Sequence, residues 1–189
     1  EKYNIKILGY RPLENYGLLC KKPVRKLADL KGLKIRSYGA AYPALLKAVG
    51  AIPTAISTTD MREALERGII DCTPTGISYI RGFKLDEVAK YYTEVPFGSN
   101  YGHVVVMNLK YYNSLDAKTK ATLDKIGQEN AENFVSQISP IVAKLKAEWK
   151  ASKDGVEIIP FPQDAFVAAA QDPAIIALRK KWIDHANNA

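Results

Sequence analysis

The chain has 189 residues, among them 27 Lys and Arg, 20 Asp and Glu, and a formal net charge of +7. Hydrophobic residues make up 47% and charged residues 25%, a composition typical of globular proteins that excludes intrinsic disorder. No run of about 18 apolar residues occurs, so the sequence predicts no membrane-spanning helix. The length fits one domain or two small ones, with a core that needs no disulfide or metal to hold it.

The positive charge is spread along the chain. The only tight basic cluster in the sequence is Arg179-Lys180-Lys181, near the C-terminus. A nucleic-acid site needs a concentrated basic stripe, so no nucleic-acid partner is expected. The charge favours, at most, small anionic ligands.

The two cysteines, Cys20 and Cys72, are far apart in the sequence. No CxxC motif and no Cys/His cluster with zinc spacing occurs, so no metal site is expected. We interpret the pair as two unpaired thiols rather than a disulfide, because two cysteines are too few for a disulfide scaffold. Cysteine usage alone therefore does not fix the compartment.

Segments of period two alternate with segments of period 3.6, which is typical of an α/β protein. Strands are predicted at residues 4–10, 16–20, 33–36, 51–56, 69–72, 103–109 and 155–160. Helices are predicted at residues 40–49, 60–67, 77–93, 116–153, 163–171 and 173–186, with a helical turn at 27–32. The chain starts at Glu1 without an initiator Met and runs directly into a strand, so we interpret it as a processed or trimmed piece.

Three local features refine these elements. The β-branched run His103 to Leu109 predicts a buried strand. The cluster Thr73-Pro74-Thr75-Gly76 predicts a turn, and Thr59 a helix N-cap. Pro140 lies inside the longest helical pattern, which predicts a kink or a break there.

Arg36 ends one predicted strand, and Thr58 and Thr75 each follow the end of another. In an open α/β sheet, ligands bind beyond the carboxyl ends of the strands. An Arg at such a place can hold a carboxylate with two parallel hydrogen bonds, and the two hydroxyls can add to this. The alternative interpretation, a surface Arg with two capping or turn threonines, stays open at this point.

The segment Ala28 to Arg36, with the sequence ADLKGLKIR, resembles a signature of the DctP-type solute-binding subunits of tripartite ATP-independent periplasmic (TRAP) transporters. Further segments are similar to the family and keep its order. They are ALERGIID at residues 64–71, LDEVAKY at 85–91 and VVMN at 105–108. The resemblance covers residues 5 to 160, and the chain is identified as the C-terminal portion of such a subunit.

The resemblance implies roles for four residues. Arg36 matches the Arg that forms the family's main salt bridge to the ligand carboxylate. Thr75 falls where the family often has an Asn that contacts the ligand, and Thr58 aligns with a pocket-lining position. Tyr38, in the loop after Arg36, is placed to cover the ligand. No cofactor and no metal is expected.

Two departures from the family pattern leave the identity of the acid open. Cys72 replaces a usual Gly, and Thr75 replaces the Asn. In some sialic-acid-binding members a second Arg precedes the first helix, where this chain has Asn15 and Tyr16. These changes affect the ligand's identity rather than the carboxylate anchor.

The implied fold is α/β: a periplasmic binding protein-like lobe with a mixed sheet flanked by helices, plus a long kinked helix. Residues 11–101 and 142–189 would form the second lobe of a two-lobe binding protein. Residues 1–10 and 102–141 would be crossing strands and a helix that pack on a mostly missing first, N-terminal lobe. Without that lobe, residues 102–141 should expose an apolar face.

The implied function is periplasmic. The protein would capture a small organic acid and deliver it to the TRAP permease membrane subunits, with no chemistry on the ligand. An alternative is an α/β enzyme acting on a small carboxylate, with Asp71 or His103 as acid or base, although no catalytic motif supports it. A third interpretation is an interaction module built on the long helix and the basic C-terminus.

Overall fold

The computed structural model describes residues 3–11, 13–39, 41–95, 103–169 and 171–187. Its strands are β1 (Ile5–Arg11), β2 (Gly17–Cys20), β3 (Lys34–Ser37), β4 (Ile52–Ala55), β5 (Cys72–Thr75), β6 (Tyr91–Thr93), β7 (His103–Asn108) and β8 (Glu157–Ile159). Its helices are α1 (Ala41–Ala48), α2 (Met61–Glu66), α3 (Ile77–Gly82), α4 (Leu109–Ser114), α5 (Ala117–Ala151), α6 (Gln163–Ala169) and α7 (Pro173–Asn187). Short 3-10 turns occur at Leu27–Leu30 and Leu85–Glu87.

The larger sheet has six strands in the order β4-β3-β5-β2-β6-β8. Strands β4, β3 and β5 run parallel, β2 is antiparallel to both β5 and β6, and β8 is parallel to β6. In this sheet β2 therefore runs against the other strands. The amino end of β2 lies at the same edge as the carboxyl ends of its neighbours, which confirms the expected mixed sheet.

Helices cover both faces of this sheet. Leu18 packs in one buried cluster with residues of α1, while Leu19 packs in a second cluster with residues of α2, α3 and the end of α5. Successive strand residues point to opposite faces, which explains why neighbours in β2 enter different clusters. The expected arrangement of a sheet flanked by helices is thus confirmed.

A second, two-stranded sheet pairs β1 with β7, antiparallel, from Ile5 opposite Asn108 to Arg11 opposite His103. Helix α5 packs across β1, and Gly127 of the helix lies against the backbone of Leu8 and Gly9. Strand β7 itself is confirmed, but its predicted burial is wrong, since Val104 and Val106 are about half exposed. No element in the described ranges covers them, so this apolar surface is open.

Three local predictions differ from the structure. Strand β5 starts at Cys72 and includes three of the four residues predicted as a turn, Thr73 to Thr75, while Gly76 is the N-cap of α3. Pro74 is tolerated there because β3 pairs with β5 at Cys72, and Pro74 lies beyond that ladder. Residues 91–93, predicted as helix, form β6, because their pairing with β2 outweighs local helix propensity. Asp60, rather than Thr59, is the N-cap of α2.

Helix α5 runs unbroken from Ala117 to Ala151 through Pro140. The proline ring removes one backbone donor, but the helical hydrogen bonds on both sides continue. The predicted break is therefore wrong, and a kink at Pro140 stays a prediction. The described residues contain no helix that is long and apolar enough to cross a membrane.

Cys20 and Cys72 form a disulfide, so the interpretation as unpaired thiols is wrong. The two residues lie directly opposite each other in the antiparallel β2–β5 pair, with their Cα atoms 4.1 Å apart. Both are fully buried. Their proximity depends on the pairing of two strands that are distant in sequence, which spacing along the chain does not reveal.

Candidate functional site

A cavity of about 470 Å³ opens at the edge of the larger sheet where the parallel strands end. Its lining includes all four residues predicted for the site. The lining residues are Leu13, Tyr16, Arg36, Tyr38, Ile56, Ser57, Thr58, Met61, Pro74, Thr75, Tyr79 and His103. The predicted residues come together because β3, β4 and β5 are parallel neighbours whose carboxyl ends meet at one edge.

Arg36 lies near the end of β3 and is only 6% exposed. Its Nε donates to the Ile56 carbonyl at 2.9 Å, and a terminal nitrogen donates to Oγ1 of Thr58, also at 2.9 Å. Its guanidinium lies over the Tyr38 ring, 4.6 Å from the ring centroid. These contacts fix the plane of the guanidinium and leave three of its five N–H groups without a partner in the described part of the chain.

Arg36 forms no ion pair with any carboxylate among the described residues. Burial lowers the pKa of Arg36, and the neighbouring phenols of Tyr38, Tyr16 and Tyr42 act in the opposite direction. A guanidinium nevertheless stays protonated in proteins. A desolvated cation without a counter-ion is costly, so the arrangement favours binding of an anion.

The two predicted threonines play different parts in this geometry. Thr58, just beyond β4, accepts a hydrogen bond from Arg36 and so orients the guanidinium. Thr75, the last residue of β5, is 2% exposed, and among the described residues its hydroxyl makes only a long 3.4 Å hydrogen bond, to the Gly76 carbonyl. The hydroxyl of Thr75 is therefore weakly committed within the protein.

Two further tyrosines line the cavity, and the prediction did not place either of them there. Tyr16 directly precedes β2, and Tyr79 lies on α3; their rings meet edge to face with centroids 6.1 Å apart. Tyr16 reaches the cavity because β2 is antiparallel, which brings its amino end to the ligand edge. In the sequence, Tyr16 is noted only because it or Asn15 stands where some family members have a second Arg, and the sequence does not show the direction of the strand.

Glu14 lies close to Tyr16, but its carboxylate is hydrogen-bonded outside the cavity that holds Arg36. Its carboxylate accepts hydrogen bonds from the backbone N–H and the hydroxyl of Ser78, at the start of α3. The side chain lines a neighbouring cavity rather than the one that holds Arg36. Glu14 therefore acts as a fixed negative charge beside Tyr16.

The residues considered for an enzyme do not form a catalytic group. Asp71 precedes β5, at the opposite edge of the sheet from the cavity, and its carboxylate accepts the backbone N–H of Lys34 at 2.8 Å. His103 lines the cavity, but no described residue pairs with its side chain as a catalytic partner. In the described ranges no cluster of three or more His, Cys, Asp or Glu side chains could hold a metal.

The chain is similar to known solute-binding proteins. Residues 1–178 match DctP, the family described as bacterial extracellular solute-binding protein, family 7. A solute-binding protein from Sulfitobacter sp. (strain NAS-14.1) is 35% identical over 130 residues, which cover 68% of this chain and 39% of that protein. The C4-dicarboxylate-binding periplasmic protein DctP of Rhodobacter capsulatus is 28% identical over 111 residues, which cover 58% of this chain and 33% of that protein.

Comparison with a solved structure shows that the fold is also that of a solute-binding protein. The crystal structure of a TRAP periplasmic solute-binding protein from Pseudomonas putida F1, with bound D-glucuronate, superposes with a TM-score of 0.85 at 25% identity. The match covers all of this chain and 60% of that one, and the chain spans less than two thirds of the length of each of these relatives. The match of residues 1–178 shows that the chain belongs to the DctP family of TRAP-type extracellular solute-binding proteins, and its location is periplasmic.

Proposed function

We propose that the chain binds a small organic acid through a salt bridge between the ligand carboxylate and Arg36, and does no chemistry on it. The observation that carries this proposal is the buried guanidinium of Arg36, held in place by Thr58 and Ile56. Arg36 lines a cavity large enough for a small acid, and three of its N–H groups have no partner among the described residues. An Arg fork matches the geometry of a carboxylate, which makes this class of anion the best fit.

The other predicted residues support the anchor. Thr58 orients the guanidinium, Tyr38 packs against its face, and the weakly committed hydroxyl of Thr75 is available to a ligand oxygen. The Pseudomonas relative, which shares this fold, binds D-glucuronate, which carries a carboxylate. The family and its solved relatives are binding proteins rather than enzymes, which favours capture over catalysis.

We also propose the two-lobe organisation expected from the sequence. Residues 11–101 and 142–189 would form the second lobe, and residues 1–10 and 102–141 would pack on a first, N-terminal lobe. The half-exposed side chains of Ile5, Ile7, Val104 and Val106 on the β1–β7 sheet support this, because a surface of this kind is typical of an interface. Closure of two lobes over the acid would precede its delivery to the TRAP permease membrane subunits.

The first experiment is native mass spectrometry of the full-length protein as purified, compared with a denatured sample, to identify a bound acid by its mass. The acid is then titrated calorimetrically into wild-type protein, Arg36→Ala and Arg67→Ala. Removing Arg36 leaves the bound anion unpaired, which should cost roughly 2–5 kcal/mol of binding free energy.

Arg67 is the matched control, because it is exposed and pairs with Glu63 on the surface of α2. Arg67→Ala should bind the acid like the wild type. Equal affinity of Arg36→Ala and wild-type protein would disprove the proposal.

A further inference from the structure

The amino end of β2 and the carboxyl end of β5 meet beside the cavity that holds Arg36. Gly17 lies opposite Thr75 in the pair that ends the β2–β5 ladder. Tyr16, directly before Gly17, and Thr75 itself both line the cavity. The placement of these two side chains therefore depends on how β2 and β5 are held together at this end.

The side chain of Tyr92 reaches this end of the ladder from β6. Tyr92 lies opposite Leu19 in the β2–β6 pair, is 3% exposed, and extends along β2 as far as Gly17. Leu19 and Gly17 are two residues apart, so they share one face of the sheet. A Cβ atom at Gly17 would stand 2.6 Å from Cζ of Tyr92, so the space left by the missing side chain is what the Tyr92 ring occupies.

The hydroxyl of Tyr92 bonds to both strands at once. Its oxygen accepts a hydrogen bond from the Gly17 N–H at 2.8 Å, and its O–H donates to the Thr75 carbonyl at 3.3 Å. Burial raises the pKa of Tyr92, so the phenol stays protonated and can make both bonds. A buried polar group without a partner is costly, so losing this hydroxyl would disfavour the present arrangement of the strand ends.

A second attachment holds the segment just before β2. The Glu14 carboxylate accepts hydrogen bonds from the N–H and the hydroxyl of Ser78, three residues after Thr75. Tyr16 therefore lies between two fixed positions, Glu14 and Gly17. Thr75 lies close to the partners of both, so the two cavity-lining residues are held as one unit.

We infer that Tyr92 is a positioning residue for the ligand site. Its hydroxyl fixes Tyr16 and Thr75 relative to each other, in the cavity where Arg36 holds the ligand. Tyr92 is not among the described residues that line this cavity, so its effect on the ligand passes through the two that do. The inference rests on the proposed function, because without the Arg36 contact there is no ligand to position against.

The test is Tyr92→Phe in the full-length protein, which keeps the ring beside Gly17 and removes both hydrogen bonds. Four probes, D-glucuronate, L-fuconate, L-galactonate and succinate, are titrated calorimetrically, and the one that wild-type protein binds most tightly is carried forward. Its affinity for Tyr92→Phe should fall about three- to tenfold, which corresponds to the usual net contribution of one hydrogen bond.

Thr93→Val is the matched control on the same strand. Thr93 is 0% exposed, and its hydroxyl donates to the Val24 carbonyl at 2.8 Å, outside the described lining of the cavity. Both variants lose a buried hydroxyl, so both should have a lower midpoint of thermal unfolding. Only Tyr92→Phe should lose affinity, and the affinity of Thr93→Val should change by less than about twofold.

A double-mutant cycle with Thr75→Val tests whether the effect passes through Thr75. If it does, the double variant Tyr92→Phe/Thr75→Val should bind at least about twofold more tightly than the product of the two single losses implies. A role of Tyr92 in stability alone produces no such coupling in the affinities.

Three outcomes would overturn the inference alone. They are an unchanged affinity of Tyr92→Phe, an equal loss in Thr93→Val, and single losses that simply multiply in the double variant. A large loss of affinity in Arg36→Ala would leave the proposed function standing in each case. If no probe binds the wild-type protein more tightly than it binds Arg36→Ala, the proposed anchor fails and the inference fails with it.

Discussion

The guanidinium of Arg36 and the hydroxyl of Thr58, 22 positions apart in sequence, are joined by a 2.9 Å hydrogen bond across the ends of β3 and β4. Free Arg side chains have high rotamer entropy, and fixing one costs free energy. The bond to Thr58, together with the bond to the Ile56 carbonyl, fixes the guanidinium before a ligand arrives. Thr58 is therefore a positioning residue, which acts on the ligand through Arg36.

Replacing Thr58 by Val should test this positioning role. Val keeps the shape of the side chain but removes the oxygen that accepts from Arg36, so the guanidinium becomes less ordered. We expect the affinity for the bound acid to fall about five- to tenfold, which corresponds to about 1–1.4 kcal/mol and lies within the usual net contribution of one hydrogen bond. Calorimetric titration measures this change.

The control for Thr58→Val is Thr59→Val. Thr59 is exposed, and its hydroxyl bonds to Ser57 and Asp60 instead of Arg36. The Thr59→Val protein should bind the acid with the same affinity as the wild type. If Thr58→Val and Thr59→Val bind equally well, the Thr58 bond does not prearrange Arg36.

The sequence predicts part of this site for a clear physical reason. Arg36, Thr58 and Thr75 each lie at or just past the end of a strand, a feature that local pattern reveals. Tyr16 lies at the start of a strand and enters the site because β2 is antiparallel, which depends on pairing with β5 and β6. The contribution of Tyr16, like the disulfide, therefore depends on tertiary contacts that one sequence does not show.

The disulfide between Cys20 and Cys72 closes a long loop within the larger sheet. The sequence separation of the two cysteines is 52 residues, so the bridge restricts the unfolded chain strongly. Replacing both cysteines by Ala should lower the free energy of unfolding by about 2–4 kcal/mol. Urea denaturation followed by circular dichroism measures the loss.

The double variant also tests whether the bridge supports the site. Gly17 pairs with Thr75 in the same β2–β5 ladder, three positions from the bridge, and Tyr16 precedes Gly17. We expect weaker binding of the acid in addition to lower stability. A double variant with the wild-type urea midpoint would show that strand pairing alone holds β2 on β5.

Gly127 permits the close contact between α5 and β1. A Cβ atom at this position would stand 1.8 Å from the Leu8 carbonyl oxygen, so an Ala requires the backbones to separate. We expect Gly127→Ala to destabilise the protein by roughly 1–3 kcal/mol, the usual range for overpacking. The midpoint of thermal unfolding reports the change.

Gly82→Ala is the matched control for this substitution. Gly82 is the last residue of α3, and a Cβ atom there meets no heavy atom within 4 Å. Since Ala favours helix over Gly, this variant should be neutral or slightly more stable. If Gly127→Ala and Gly82→Ala have the same midpoint of thermal unfolding, α5 and β1 are not in close contact in solution.

Asp124 links α5 to both β1 and α4. Its carboxylate accepts a 2.6 Å hydrogen bond from the Tyr112 hydroxyl and lies 3.0 Å from Nζ of Lys6. The hydrogen bonds from Tyr112 and Lys6 both lower the pKa of Asp124 in the folded state, and the bond from Tyr112 has the larger effect. A carboxyl group with a lowered folded pKa stabilises the fold above its unfolded pKa of about 3.9. That contribution disappears as the pH falls through the lowered value.

Asp124→Asn should therefore lower the free energy of unfolding at pH 7, and its difference from wild type should shrink towards pH 3. Urea denaturation at pH 7, 5 and 3 measures this trend. Glu129→Gln is the control, because Glu129 forms only an exposed pair with Lys125 at 3.7 Å on the same helix. Glu129→Gln should lower the free energy of unfolding at pH 7 by less than Asp124→Asn does, since exposed pairs of this kind contribute little. A difference between Asp124→Asn and wild type that stays constant from pH 7 to pH 3 would exclude the carboxylate as the source of the stabilisation.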